Sequence, residues 1–211
     1  MADAVAGCTS EFAIFNWLAP TLWWDMNNES ARQMPRTLVL IGFMGSGKST
    51  IGRKLHQQLG YQLIDTDQLI EAGTKKSIQQ IFTDDGEESF RDLESAMLNE
   101  LAVSPAANRI ISTGGGVVLR EQNRKLLRDL GFVVWLRASA KEIFRRTASS
   151  KHRPLLQTHD PEAVIHTMMT ERDALYKETC HLEIDTADLD MEEACAGIME
   201  CASYHFKQCE Q

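Results

Sequence analysis

The chain has 211 residues, of which 43% are hydrophobic and 25% are charged, with 13 glycines and five prolines. This length fits one globular domain with some additional chain, and the composition excludes disordered, collagen-like and low-complexity classes. The 22 Lys and Arg residues against 30 Asp and Glu give a net charge of −8, which argues against a broad electrostatic grip on nucleic acid or an anionic membrane. An anionic ligand must therefore be held by local groups.

The cysteines favour a reducing compartment. There are five of them, an odd number, and they form no CxxC pair, so neither a disulfide framework nor a zinc site is predicted. We therefore expect a cytoplasmic protein. No heptad pattern or obvious apolar stripe indicates an assembly, and a monomer is the default expectation.

Residues 1–35 form an N-terminal extension that differs from the rest of the chain. It contains no Lys or Arg before Arg32, whereas secretory and organellar leaders are cationic near their start. Its apolar run is shorter than the roughly 20 residues that span a bilayer and is interrupted by Asn16 and Pro20, so no membrane anchor is predicted. The extension either packs on the domain or a partner, or is a disordered tail. A third interpretation is that translation begins at Met34.

A strand, a glycine-rich loop and a helix are predicted at the start of the main domain. The run Thr37–Ile41 is typical of a buried parallel strand, and helical spacing that begins at Thr50 stops at Gly60. Between them, residues 42–49 read GFMGSGKS and match the pattern GxxxxGKS/T in full. This is the context in which the pattern binds nucleotide phosphates.

The residues of this loop have distinct expected roles. The backbone N–H groups of its glycines and Ser46 turn toward phosphate oxygens, and the helix N-terminus adds partial positive charge. Lys48 would reach the β and γ phosphates, and the Ser49 hydroxyl would bind Mg²⁺. The predicted ATP-binding residues of the loop are Gly45, Ser46, Gly47, Lys48, Ser49 and Thr50.

The rest of the chain narrows the class of nucleotide-binding protein. It has no NKxD element to read guanine, and it is too short for the accessory domains of most motor ATPases. These observations favour a small-molecule kinase.

Two carboxylates follow the second predicted strand, Tyr61–Asp65. Ligands of open α/β sheets lie beyond the carboxyl ends of the strands, so Asp65 and Asp67 are expected to face the same crevice as the phosphate loop. Asp65 would hold Mg²⁺ directly or through water, and Asp67 would take the proton of an attacking hydroxyl. The alternative for Asp67 is that it caps the helix predicted over Gln68–Ala72.

An arginine and a glycine triplet are further candidates for the site. The guanidinium of Arg91 either pairs bidentately with a carboxylate or phosphate, or forms a salt bridge with Glu94 or Glu88 on its own helix. A third strand, Arg109–Thr113, runs into three glycines, 114–116, which imply close backbone approach. We interpret this glycine loop as a contact to substrate.

The remaining pattern predicts a lid between two helices. Residues 148–161 are polar, basic in the middle and contain two prolines, which is typical of a mobile active-site lid, although an ordinary surface loop remains the alternative. Arg153 in this segment would stabilise charge on a transferred phosphoryl group. The other predicted elements are strands over Phe132–Leu136 and His181–Asp185 and helices over Lys141–Thr147 and Pro161–Thr179.

This ordered series of motifs resembles the shikimate kinases, which belong to the nucleoside-monophosphate-kinase-like branch of P-loop folds. The resemblance covers about residues 37 to 205 and rests on GFMGSGKST, IDTD, SIQQIF, DGEESFRDLE, ISTGGGVV, RRT, RPLL, ERDALY and IDT. It implies an α/β three-layer sandwich with a five-stranded parallel sheet and a mobile lid. The domain would span residues 36–207, and residues 208–211 would be a tail.

The resemblance also implies the reaction and the residues that perform it. The γ-phosphoryl of ATP would pass to the 3-hydroxyl of shikimate, with Mg²⁺, in aromatic amino-acid biosynthesis. Catalysis would rest on Asp67 as base together with Lys48 and Arg153, and the metal would lie near Ser49 and Asp65. The implied shikimate-binding residues are Asp67, Arg91, Arg172, Gly114, Gly115, Gly116, Phe82 and Phe90, and the implied adenine-stacking and lid residues over ATP are Arg146 and Arg153.

The sequence is consistent with two alternative functions and departs from the pattern of the family at one place. The alternatives are a kinase for another hydroxylated acid such as gluconate, and a catalytically weak P-loop binding module. The departure lies at residues 185–190, which are acidic where some relatives place a basic residue near adenine.

Overall fold

A computed structural model of the protein describes residues 36–104, 108–147, 160–187 and 190–209. The N-terminal extension with Met34, the lid residues 148–159 with Arg153, and residues 210 and 211 lie outside the described residues, so the predictions made for them stay predictions.

The described residues contain a five-stranded sheet in which every pairing is parallel. Its order is β2-β3-β1-β4-β5. The predicted strands are confirmed, with ends that move by one residue at most. The strands are β1 (Thr37–Ile41), β2 (Gln62–Asp65), β3 (Arg109–Ser112), β4 (Phe132–Arg137) and β5 (Leu182–Asp185).

Helices connect the strands, and two of them begin two residues earlier than predicted. Helix α1 starts at Lys48 rather than Thr50, and α2 starts at Thr66 rather than Gln68. The last helix continues to Cys209, two residues into the predicted tail. The helices are α1 (Lys48–Leu59), α2 (Thr66–Thr74), α3 (Ile78–Asp84), α4 (Gly86–Val103), α5 (Glu121–Leu130), α6 (Ala140–Thr147), α7 (Pro161–Thr179) and α8 (Met191–Cys209), with a 3-10 helix at Val117–Leu119.

The apolar strands bury both faces of the sheet. On β1, Leu38 and Leu40 point to a core shared with α1 and α8, whereas Val39 and Ile41 point to a second core. Alternate side chains of a strand point to opposite faces, so a continuous apolar run needs helices on each side. The second core is covered by α2, α3, α4, α5 and α7, which confirms the predicted three-layer sandwich.

The position of β1 determines where a site can form. Because β1 lies between β3 and β4, the loop that follows it emerges at the middle of the carboxyl edge of the sheet. The loops after β2 and β3 lie to one side of it, and those after β4 and β5 lie to the other. A chain crossover of this kind opens a crevice on each flank of the central loop.

Candidate active site

Two cavities flank the glycine-rich loop, and the loop forms a wall of both. We call the first the β4–β5 cavity; it has a volume of about 600 Å³ and is lined by residues 45–51, Arg146, Thr186, Asp190, Met191 and Ala194. We call the second the β2–β3 cavity; it has a volume of about 550 Å³ and is lined mainly by residues of α2, α3, α4, the glycine triplet and Arg172. Gly45, Lys48 and Ser49 line both cavities, so the two are adjacent.

The loop has the backbone shape that its sequence requires. Gly45 and Gly47 have positive φ angles of 79° and 100°, and Gly47 is the N-cap of α1 without any side-chain cap. The first N–H groups of α1 therefore face the cavities rather than a capping side chain. The buried Lys48 donates hydrogen bonds from Nζ to the carbonyl oxygens of Gly42 and Phe43, at 2.8 and 2.9 Å, which holds its charge at the loop.

Arg146 connects the same loop to the carboxyl end of β5. Its Nη1 donates to the Gly45 carbonyl at 3.4 Å and to Thr186 Oγ1 at 3.3 Å, and its Nε donates to Glu142 at 2.6 Å. Thr186 Oγ1 in turn lies 3.2 Å from the Ser46 carbonyl oxygen. Two consecutive loop carbonyls, those of Gly45 and Ser46, thus contact side chains that follow β4 and β5.

Asp65, and not Asp67, caps α2. Its Oδ1 accepts hydrogen bonds from the backbone N–H groups of Asp67 and Gln68, at 3.1 and 3.3 Å. The proposed capping role of Asp67 is therefore wrong, because the chain enters the helix directly from β2 and the cap falls two residues earlier. The other oxygen of Asp65, Oδ2, lies 3.3 Å from Ser49 Oγ, so the two predicted metal ligands are neighbours.

Asp67 lies in the first turn of α2 and is directed into the β2–β3 cavity. Its Oδ1 is buried and has no hydrogen-bond partner among the described residues. Burial raises the pKa of this carboxyl to about 7, the negative charges of Glu94 and Asp65 add to the increase, and the Lys48 ammonium opposes it. A carboxyl with a pKa near neutrality is suited to exchange a proton with a bound hydroxyl.

Arg91 forms the predicted salt bridge with Glu94, and its pairing with a ligand carboxylate or phosphate stays a prediction. It lines the β2–β3 cavity and also forms ion pairs within α4, with Glu94 at 2.5 Å and Glu87 at 2.7 Å. Glu88, the other predicted partner, pairs instead with Arg120 at 2.9 Å. The guanidinium is thus buried, held in place and still faces the cavity.

Aromatic rings and a buried glutamate surround Arg91. Its guanidinium carbon lies 6.0 and 5.3 Å from the ring centroids of Phe82 and Phe90, whose rings are 5.0 Å apart. Glu94 is 2% exposed, its Oε1 has no partner among the described residues, and burial raises the pKa of its carboxyl although Arg91 opposes the shift. The sequence indicated Glu94 only as a salt-bridge partner and gave no sign of its contact with Gly114.

The glycine triplet admits side chains from both sides. A β-carbon on Gly114 would lie 2.6 Å from Glu94 Oε1 and 2.8 Å from Asp67 Oδ1, and one on Gly116 would overlap the Arg91 guanidinium. The close backbone approach predicted for this loop is confirmed. Between these two positions, the carbonyl oxygen of Gly115 accepts hydrogen bonds from Arg172 Nη1 at 3.3 Å and Tyr176 Oη at 2.5 Å.

The structure therefore places the predicted residues in two groups. The predicted substrate residues line the β2–β3 cavity: Asp67, Arg91, Gly114, Gly115, Gly116, Arg172, Phe82 and Phe90. The loop residues Gly45–Thr50 and Arg146 line the β4–β5 cavity. Asp65 lines neither cavity but contacts Ser49. Tyr176, which contacts Gly115, was not predicted as a residue of the site. An aromatic residue at helical spacing carries no signal that separates a core residue from a site residue.

Two negative findings concern the described part of the chain. No group of three His, Cys, Asp or Glu side chains there is arranged to hold a metal ion by itself. Every helix in the same ranges is too short or too polar to cross a bilayer.

A parallel sheet whose central strand runs into a phosphate loop, with a cavity on each flank of that loop, defines a P-loop kinase. Comparison with known proteins identifies the family: the family model described as shikimate kinase matches residues 44–203. The chain belongs to the shikimate kinase family, whose members are ATP-dependent kinases, which confirms the predicted family and enzyme class.

Individual relatives agree with the family match. The shikimate kinase of Thioalkalivibrio sulfidiphilus is 50% identical over 149 residues, which cover 71% of this chain and 77% of the relative. The shikimate kinase of Bordetella avium is 45% identical over 160 residues, covering 75% and 76%. Among solved structures, shikimate kinase from Acinetobacter baumannii in complex with shikimate has a TM-score of 0.77 at 34% identity and covers 82% of this chain and 96% of that one.

Proposed function

We propose that this protein transfers the γ-phosphoryl group of ATP to the 3-hydroxyl of shikimate, giving shikimate 3-phosphate and ADP for aromatic amino-acid biosynthesis. One observation supports the roles given to these residues. Asp67, Arg91 and Arg172 line the β2–β3 cavity, and Lys48 lines both this cavity and the β4–β5 cavity. A carboxyl group and two guanidinium groups match a polyhydroxylated acid, and the shared lysine lies where the two substrates meet.

The nucleotide occupies the β4–β5 cavity in this proposal. Its phosphates accept hydrogen bonds from the N–H groups of Gly45 to Thr50, and the charge of Lys48 neutralises the β and γ phosphates. The adenine ring stacks on Arg146, whose guanidinium is already held by Glu142, the Gly45 carbonyl and Thr186. Arg153 of the lid adds positive charge over the phosphates.

Shikimate occupies the β2–β3 cavity. Arg91 and Arg172 hold its carboxylate, because a planar guanidinium pairs with a carboxylate through two parallel hydrogen bonds. Asp67 accepts the proton of the 3-hydroxyl as the oxygen attacks the γ-phosphorus, and ADP leaves with the electrons of the broken phosphoanhydride bond. Phe82 and Phe90 form the apolar wall beside Arg91.

The oxygens present also fit Mg²⁺. Mg²⁺ is usually held by one or two protein oxygens together with waters and phosphates, so a cluster of three side chains is not needed. Ser49 Oγ and Asp65 Oδ2, 3.3 Å apart, supply two such oxygens beside the loop. When bound, the ion would neutralise charge on the β and γ phosphates.

The predicted setting of the enzyme remains part of the proposal. We propose a cytoplasmic monomer without nucleic-acid or membrane partners. The net charge of −8 and the five cysteines without a CxxC pair support this setting.

The experiment is a coupled assay of ADP release by the purified full chain with MgATP. Shikimate, quinate, gluconate and no acceptor are compared at equal concentration. We expect release that depends on shikimate. Release with gluconate or quinate instead would assign the cavity to another acid, and ATP binding without release would favour a binding module.

A further inference from the structure

Tyr176 is a fully buried tyrosine whose hydroxyl reaches the glycine triplet rather than its own helix. It is 1% exposed, and its ring stacks on Trp135 of β4 with the centroids 5.6 Å apart and the planes at 22°. Its Oη lies 2.5 Å from the carbonyl oxygen of Gly115. A buried hydroxyl needs a partner, but Thr179 on the same helix finds one locally, in the Leu175 carbonyl at 2.6 Å. The bond of Tyr176 instead crosses to the glycine triplet.

Arg172 reaches the same carbonyl. It precedes Tyr176 by four residues and therefore lies on the same face of α7. Its Nη1 donates to the Gly115 oxygen at 3.3 Å, so both lone pairs of that oxygen can be occupied by α7. Of these two donors, the tyrosine is the nearer one, and its ring cannot move without displacing the Trp135 stack.

This pair of bonds fixes the peptide between Gly115 and Gly116. The peptide unit is planar and trans, so its N–H, which belongs to Gly116, points opposite to the Gly115 carbonyl. With the carbonyl held toward α7, the Gly116 N–H is directed away from that helix. Glycines have no side chain to restrict rotation of such a peptide, which makes an external hold necessary.

We propose that Tyr176 is a positioning residue: its hydroxyl orients the Gly115–Gly116 peptide so that the Gly116 N–H donates to the bound acid. The inference rests on the proposed function, because it takes shikimate as the acid in the β2–β3 cavity. Tyr176 does not touch the substrate. It acts through the peptide between Gly115 and Gly116.

The test compares two variants that each remove one buried hydroxyl from α7. Tyr176→Phe keeps the ring and its stack and removes the bond to Gly115, whereas Thr179→Val removes only a bond within the helix. We expect Tyr176→Phe to raise the KM for shikimate about five- to tenfold, the range of one neutral hydrogen bond. The KM for ATP should stay within about twofold, and Thr179→Val should leave both constants unchanged.

A spectroscopic readout separates positioning from general loosening. In the wild-type protein, the Gly116 amide resonance should move when shikimate is added, and in Tyr176→Phe it should already be displaced before shikimate is added. An unchanged shikimate KM in Tyr176→Phe, an equal rise in both variants, or a Gly116 amide insensitive to shikimate would overturn the proposal. Failure of the proposed function has a different signature, since wild-type protein would then show no shikimate-dependent ADP release at all.

Discussion

Asp67 and Glu94 each bring a carboxyl oxygen, one without a hydrogen-bond partner in the part of the chain that the structure describes, to the same point beside Gly114. The two oxygens lie within 2.8 and 2.6 Å of the place where a β-carbon of residue 114 would stand. Both carboxyl groups are buried, and burial raises both of their pKa values. The absence of a side chain at Gly114 is what lets two acids approach the glycine triplet together.

The first prediction is that Gly114→Ala inactivates the site without unfolding the protein. The added methyl must displace one of the two carboxyl groups, and a displacement of about 1 Å can lower a rate by roughly 100-fold. We expect a loss of that order in kcat/KM for shikimate, measured in the coupled assay, with ATP affinity retained. Gly73→Ala is the matched control, because a β-carbon there meets no atom within 4 Å. Normal turnover in Gly114→Ala would contradict the claim that a side chain at residue 114 displaces Asp67 or Glu94.

The second prediction concerns Asp67 as the base. Asp67→Asn keeps the shape of the side chain and removes its ability to take a proton, so kcat should fall by about 10²- to 10⁴-fold. Binding of ATP should change little, since Asp67 does not line the β4–β5 cavity. Steady-state kinetics and a nucleotide titration measure the two effects. A variant with nearly normal kcat would remove Asp67 from the chemistry.

The third prediction is a pH dependence of stability in the nucleotide-free protein. The folded pKa of Asp67 is raised from 3.8 to about 7, so this group favours folding fully below about pH 4 and loses that contribution as the pH rises through 7. At pH 8, the free energy of unfolding of Asp67→Asn should therefore exceed that of wild type by roughly 1–3 kcal/mol, and the variant should unfold at a higher temperature. The gain should shrink at pH 5. Thermal unfolding at both pH values checks this, and a gain that does not depend on pH would count against it.

The fourth prediction is that Arg172 contributes to shikimate binding and that an exposed arginine does not. Removal of one charge-assisted contact costs about 1.5–3 kcal/mol, so Arg172→Ala should weaken shikimate about 10- to 150-fold and leave the KM for ATP nearly unchanged. Arg53 is exposed on α1 and serves as the matched control in Arg53→Ala. An unchanged shikimate KM in Arg172→Ala would show that Arg172 does not bind the shikimate carboxylate.

The fifth prediction tests the hold on the glycine-rich loop. Thr186→Val removes the hydroxyl that lies within 3.3 Å of the Ser46 carbonyl oxygen and of Arg146 Nη1. We expect the KM for ATP to rise about three- to tenfold, as for the loss of one or two hydrogen bonds, with the KM for shikimate unaffected. Thr186→Ser should restore the wild-type value. If the serine variant behaves like the valine variant, the hydroxyl is not what matters.

The strands and the phosphate loop were predictable because their signals are local. A strand buried on both faces reads as an apolar run, and β1 agrees with its prediction at both ends. The phosphate loop was readable because its glycines, Lys48 and Ser49 are adjacent in sequence. The start of α2 was not predicted, since Asp65 ends a strand and caps a helix at once, and the pattern gives no sign that the intervening turn is missing.

The parts of the site that sequence reasoning missed depend on packing between distant elements. Glu94 resembles an ordinary helix salt-bridge partner until α4 brings it against Gly114, a contact across 20 residues of sequence. Tyr176 resembles a core aromatic until α7 places its hydroxyl on Gly115. The sequence could not show that Arg91 forms ion pairs with Glu87 and Glu94 and lines the β2–β3 cavity at the same time.

The strand order separates the residues beside the proposed acceptor from those beside the proposed phosphate donor. In the proposed function, segments that follow β2 and β3 line the cavity for the acid, segments that follow β4 and β5 line the cavity for the nucleotide, and the loop after β1 forms a wall of both. Arg172 is an exception, since it lines the β2–β3 cavity from α7, which follows β4. Substitutions that adapt the enzyme to a different acceptor can therefore accumulate on one flank of the sheet while the phosphate donor and its loop are inherited unaltered, which makes acceptor choice a separable module of this fold.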